Sequence, residues 1–181
     1  MRKPIVGVSA CLLGERVRYD GDHRRSTFVA EDLGARFTWV VVCPEVEAGF
    51  GVPRETMRLE GDPEAPRLFS TRTREDRTAR MAEWCRARVA ALPAQICGFV
   101  LKRGSPSCGP ERVKVYRALD AAGTTESSTE DGMGFFAAAL RARFPGLPLA
   151  DEERLEDPAS AREFIAQVEE RFRSRLTGDS Q

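Results

Sequence analysis

The chain has 181 residues, with 28 Lys plus Arg against 28 Asp plus Glu and no formal net charge. That length builds one domain with a full core, and the balanced charge argues against both a global basic field for nucleic acid and an acidic, solvating protein. With 41% hydrophobic residues and no stretch near the roughly 20 apolar residues of a membrane span, the composition is that of a soluble globular protein.

The first strand is expected over Pro4 to Leu13, an apolar run that reaches Cys11. The start MRKPIVGVSAC superficially resembles a lipoprotein leader, but its apolar stretch before the cysteine is only about six residues, short of a secretory core of roughly 7–15. Cytoplasmic localisation is therefore expected. There disulfides are rare, and five cysteines, an odd number, do not suggest a disulfide framework. Gly14 to Arg25 mixes Gly, Asp and Arg and reads as an irregular loop over the carboxyl end of that strand. A short helix is expected over Ser26 to Leu33, capped by Ser26 or Thr27 and stopped by Gly34.

Thr38 to Val42 is a β-branched and aromatic run suited to burial in a parallel sheet. It stops at Cys43 and Pro44, and Glu45, Gly49 and Gly51 follow, the glycines allowing close backbone approach. Asp62 to Pro66 marks a turn. The periodicity predicts a helix over Thr71 to Leu92, with Met81, Trp84, Cys85, Val89 and Leu92 on one face and Pro93 ending it. Gly98 to Leu101 then forms a short buried strand that runs into a loop of Gly, Ser and Pro carrying Cys108.

Beyond this point, Val113 to Tyr116 is expected as a strand, Ala118 to Asp131 as a mobile segment, Gly132 to Phe144 as a helix and Gly146 to Ala150 as a last strand. Asp157 caps a final helix with Pro158 in its first turn, and the tail from Thr177 is expected to be disordered. There are no internal repeats and no linker, so residues 1–176 form a single domain. Strands alternating with helices give an α/β fold with a mainly parallel sheet flanked by helices, Rossmann-like in kind.

Cys11, Cys43 and Cys108 each end or follow an apolar strand. In an open parallel sheet the carboxyl ends share one edge, where ligands bind. If these strands are neighbours, the three thiols converge into a metal or cluster site built by the fold. A lone cysteine is more often a small buried hydrophobe, and Cys85 on a helix face and Cys97 at a strand start fit that description. The single histidine, His23, sits in a polar loop and is expected at the surface. Structural zinc asks for a fourth ligand. An iron–sulfur cluster is usually held by four thiolates, and three would leave one iron open for Lewis-acid chemistry.

SACLLG with VRYDG, CPEV followed by GFGVPR, and LKRGSPSCG together resemble the thiouracil desulfurase family, over about Ile5 to Gly109, with a DxT at Asp76 to Thr78. The resemblance implies an α/β domain with a 4Fe-4S cluster bound by Cys11, Cys43 and Cys108 and one open iron site. It implies removal of sulfur from a small thiolated pyrimidine, releasing hydrogen sulfide and leaving uracil in a hydrolytic, non-redox reaction. The family's acid/base carboxylate falls on Glu45, for which an exposed loop glutamate is the plain alternative. Its site serine falls on Ser105 in preference to Ser107, against the plain reading of a turn-forming serine.

Arg18, Tyr19 and Asp20 in the VRYDG match either close over the base or hold the loop. Arg54 either pairs with a carboxylate to orient a loop or contacts substrate, and Lys102 is placed to balance cluster charge. Two other readings stand beside this one. A module that holds sulfide or a cluster for a partner needs the cysteines but not Glu45. A desulfurase acting on thiolated tRNA would use the basic stretch Arg16 to Arg25, although the balanced charge argues against nucleic acid. No membrane partner is expected, and the oligomeric state is left open.

Overall fold

The computed structural model describes residues 2–117 and 127–178. In chain order, β1 (Ile5–Ser9) is followed by helix α1, a wide π turn over Phe28–Leu33 that continues through Gly34–Arg36, and then by β2 (Thr38–Val42) and the single-turn α2 (Pro44–Glu47). Next come β3 (Met57–Glu60), β4 (Arg67–Ser70), α3 (Thr78–Ala90), β5 (Ile96–Leu101), β6 (Val113–Tyr116) and β7 (Ser128–Gly132). Helix α4 (Phe135–Arg143), β8 (Leu149–Asp151) and α5 (Pro158–Gly178) complete the described chain.

The expected α/β fold with a parallel sheet is present. Strands run in the order β2-β1-β5-β8, and every pairing is parallel. All six residues of β5 are buried, as a central strand covered on both faces requires. One face carries Phe99, Met81, Cys85, Phe136 and Leu140 in a core shared with α3 and α4; the other packs Val6, Val8, Leu33, Cys97, Phe164 and Val168 against α1 and α5. Gly7 in β1 makes room for Phe99, since a Cβ there would lie 2.0 Å from the ring. The same ring meets Phe136 edge-on at 5.4 Å.

A second four-stranded sheet, ordered β4-β3-β6-β7, was not expected from the sequence. Only its β3–β6 pairing is parallel; β3–β4 and β6–β7 are antiparallel. Three of its strands have four residues each, and β7, Ser-Thr-Glu-Asp-Gly, has no apolar side chain. Of the four strands, Val113–Tyr116 was expected as a strand; β7 gives no hydrophobic alternation to read, and the pairing of the sheet depends on partners distant in sequence.

Several boundaries shift for local reasons. Helix α3 begins at Thr78, not Thr71, because residues 71–77 wrap back onto the hairpin. Arg74 adopts φ 60 and forks onto Glu60, while Asp76 forms a bridge to Phe69 and accepts the Thr78 N–H at 2.9 Å. Gly34 sits in helical conformation instead of stopping α1. The last strand is Leu149–Asp151, and α5 continues to Gly178, past the Thr177 expected to begin a disordered tail; residues 179–181 of that tail lie outside the described residues. Of the segment expected to be mobile, Ser128 to Asp131 belongs to β7 and residues 118–126 lie outside the described residues. Helix α4 starts at Phe135 because Gly132 closes β7 and Gly134 takes the cap position.

Glu60 anchors the second sheet. It is 3% exposed and accepts Arg58 Nε at 2.6 Å and Arg74 Nη2 at 2.6 Å. The Arg74 guanidinium, helped by Arg58, holds its carboxyl below the usual value of 4.5 against the opposing effect of burial. A depressed carboxylate pKa contributes stability above the unfolded value, and that contribution is lost as pH falls through the folded one. Glu60→Gln is therefore expected to lower unfolding stability by about 1–3 kcal/mol at pH 7, with the difference from the parent shrinking below pH 4.5. Denaturant melts at several pH values check this, and a difference that does not change with pH would overturn it.

Candidate active site

Three thiols reach one cavity from three segments. Cys11 does not end β1, as the sequence suggested, but sits on the 3₁₀ turn Ala10–Leu13 that follows it. Its carbonyl accepts the Arg24 N–H at 2.9 Å, and Leu12 O accepts the Ser26 N–H at 3.0 Å, so the intervening loop folds back beside the thiol. Cys43 directly follows β2 and caps α2, with Pro44 in the first helical turn. Its own N–H is satisfied by Glu47 Oε1 at 3.0 Å.

Cys108 lies in the loop after β5, in a turn closed by Ser105. The Ser105 hydroxyl oxygen accepts the N–H groups of Ser107 (3.2 Å) and Cys108 (3.0 Å), and Ser105 O accepts that of Gly109 at 2.8 Å. The start of α4 braces this turn, since Phe136 N–H donates to Ser107 O at 2.8 Å and Gly134 N–H to Gly109 O at 2.8 Å. A Cβ on Gly134 would lie 2.6 Å from the Ser107 carbonyl carbon, so only glycine permits this approach. Gly134 was not singled out from sequence, because its partner turn is distant in the chain.

The cavity holds about 390 Å³ and is lined by Cys11, Cys43, Cys108, Glu45, Ser105, Lys102, Arg18, Tyr19 and Arg54 among others. None of the thiols is in a disulfide. Burial, then the neighbouring Cys43, pushes the Cys11 thiol up to about 12. Burial, then Glu45, pushes Cys43 up to about 11, and the same two causes raise Cys108. A metal or cluster bound by these raised thiols would have to displace their protons. Among the described residues no trio of His, Cys, Asp or Glu side chains is set to hold a single metal ion.

Glu45 is held at both oxygens. Oε1 accepts the Ser107 hydroxyl at 2.8 Å, and Oε2 accepts Arg54 Nη2 at 2.7 Å. Its side chain is 15% exposed, so it is a wall of the cavity and not a loop glutamate in open solvent. The two serines differ in placement: Ser105 lines the cavity, whereas Ser107 is fully buried behind Glu45.

Lys102 reaches the cavity wall, where its ammonium pairs with Glu152 and its charge lowers the Cys11 thiol against the burial effect. Its backbone N–H donates to Ser9 Oγ at 3.0 Å, and Ser9 in turn lowers the Cys108 thiol against the effect of burial. Ser9 and Glu152 are supporting residues the sequence reading passed over. Ser9 lay in the quoted SACLLG match; Glu152 offered no local signal.

At the rim, Tyr19 is 41% exposed, with the Arg18 guanidinium 5.3 Å from its ring centre. Asp20 stays outside the cavity lining; it accepts the Asp22 N–H at 3.1 Å and pairs with Arg18 Nε at 3.6 Å, which holds the loop. His23 is likewise outside, its Nδ1 accepting the Arg25 N–H at 3.2 Å. Cys85 and Cys97 are buried in the two cores.

A family model described as 2-thiouracil desulfurase matches residues 6–152, which span all three cavity cysteines and Glu45. The chain belongs to the 2-thiouracil desulfurase family. As a member of that family it is an enzyme, a desulfurase. Among solved structures, the 4Fe-4S-dependent thiouracil desulfidase TudS is 31% identical, with a TM-score of 0.63 over 90% of this chain and 99% of that one. The uncharacterized protein YbbK of Bacillus subtilis (strain 168) is 30% identical over 156 residues, 83% of this chain and 97% of its own length. Among the described residues no helix is long and apolar enough to cross a membrane.

Proposed function

We propose that this desulfurase acts on a small thiolated pyrimidine of the 2-thiouracil type, with a 4Fe-4S cluster held by Cys11, Cys43 and Cys108. The observation that carries the proposal is the meeting of three unpaired thiols and one anchored carboxylate in a single cavity at the carboxyl end of a parallel sheet. The solved relative that covers nearly the whole fold is described as 4Fe-4S-dependent. The donor set suits that group, because thiolates are the ligands iron–sulfur clusters take and these three line one cavity. When bound, the cluster supplies a Lewis-acid iron with one position free of protein ligands, suited to sulfur.

The protein's own residues supply the rest. Glu45 takes a proton from the water that attacks the carbon bearing sulfur, and Ser107 and Arg54 fix which oxygen faces that water. Overall, the carbon–sulfur double bond and one water give a carbonyl and hydrogen sulfide, with no net oxidation or reduction. Ser105 borders the substrate space, and the Tyr19 ring at the rim offers an aromatic face for a flat base. Lys102 offsets part of the negative charge gathered by three thiolates. Five free cysteines suit a reducing compartment, so the cytoplasm is the proposed location.

Iron and acid-labile sulfide, measured per chain on protein purified without oxygen, test this first. About four of each are expected, together with conversion of 2-thiouracil to uracil and sulfide. Zinc in place of iron, or no metal after anaerobic reconstitution, would overturn the cluster assignment. A loaded protein that leaves 2-thiouracil untouched would overturn the substrate.

A further inference from the structure

Arg54 joins parts of the site that are far apart in the chain. Its side chain is 8% exposed. Nη2 donates to Glu45 Oε2 at 2.7 Å, and Nη1 donates to two carbonyls, Val17 O and Gly51 O, each at 2.9 Å. The Arg54 backbone N–H donates to Tyr19 O at 2.9 Å. The Cys43 thiol reaches the same Val17 carbonyl at 3.8 Å. One planar guanidinium therefore fixes the proposed base and the loop that carries Arg18 and Tyr19 over the cavity.

We infer that Arg54 is a positioning residue, which sets the Glu45 carboxylate and the Val17–Tyr19 rim as one unit and does not bind substrate. This rests on the desulfurase reading of the site given above. For Arg54 to turn toward a ligand it would have to leave Glu45 and Val17 O, stranding a nearly buried carboxylate and carbonyl, which is costly. A lysine cannot replace it, because an ammonium is a compact point charge and lacks the planar fork that spans a carboxylate and two carbonyls in fixed directions.

The test uses Arg54→Ala and Arg54→Lys, alone and combined with Glu45→Gln, in the cluster-loaded enzyme, together with hydrogen exchange on the unloaded chain. Both Arg54 variants are expected to lower kcat on 2-thiouracil on the order of 100-fold, the size of loss that follows misplacement of a catalytic group, while KM moves far less. On the Glu45→Gln background the Arg54 substitutions should add little, since their effect passes through the carboxylate. Added guanidinium ion should restore part of the Arg54→Ala activity. In the unloaded chain, amides of residues 15–21 should exchange faster in either variant.

A raised KM with unchanged kcat would make Arg54 a substrate contact and overturn the inference. So would full additivity with Glu45→Gln, or unaltered exchange in residues 15–21. If loaded parent enzyme does not desulfurate 2-thiouracil, the substrate assignment fails, and the exchange measurement still decides whether Arg54 holds the rim. Should Arg54→Ala fail to fold, Arg54→Lys keeps the charge and carries the same comparisons.

Discussion

Replacing any one of Cys11, Cys43 or Cys108 with alanine is expected to abolish turnover and to remove the charge-transfer absorption of an intact cluster, while Cys85→Ala retains both. The contrast rests on placement. The first three thiols line one cavity; burial is the largest cause that raises each, and Cys43 adds to the rise of both Cys11 and Cys108. Cys85 is buried but lies on α3 against the core, raised by desolvation alone. Under the proposed ligation, loss of one thiolate leaves two to hold a cluster normally held by more. Iron content and absorbance after anaerobic reconstitution measure the effect. A full cluster after removal of Cys43 would sink the ligand assignment.

Glu45→Gln is expected to leave iron and sulfide content unchanged and to reduce kcat roughly 100- to 10,000-fold, the range of general acid–base contributions. Glutamine is the informative substitution because its amide oxygen can still accept from Arg54 or Ser107. The buried contacts around the position are thereby largely kept, and the loss reports the missing base. The same variant separates an enzyme from a module that merely stores sulfide or a cluster, which has no use for a carboxylate here. Undiminished activity would remove Glu45 from the mechanism.

The same contrast between local and distant signals runs through the fold. β1, β2 and β5 were legible as apolar runs bounded by Gly, Pro and Cys, and parallel packing then carried three cysteines to one edge. Helix α5 was legible from Asp157, Pro158 and its apolar spacing. The Thr71 start predicted for α3 was misplaced, because the polar run before Thr78 has helical propensity but Arg74 is drawn onto Glu60. Tertiary pairing overrode a weak local preference. Strand β7 was missed because an exposed strand of Ser, Thr, Glu and Asp has no hydrophobic period; its place comes from pairing with β6.

By itself, the sequence marked strands β1, β2 and β5, the candidate thiols and Glu45, each through residues adjacent in the chain; that those strands are neighbours was decided by the packed sheet. Only the tertiary structure decided how that carboxylate is held. Ser107 meets Glu45 across 62 positions, and Lys102 meets Glu152 across 50. Hydrogen bonds and ion pairs of this kind depend on ångström-scale placement of side chains by the packed sheet and helices. Chain order alone carries no record of that placement.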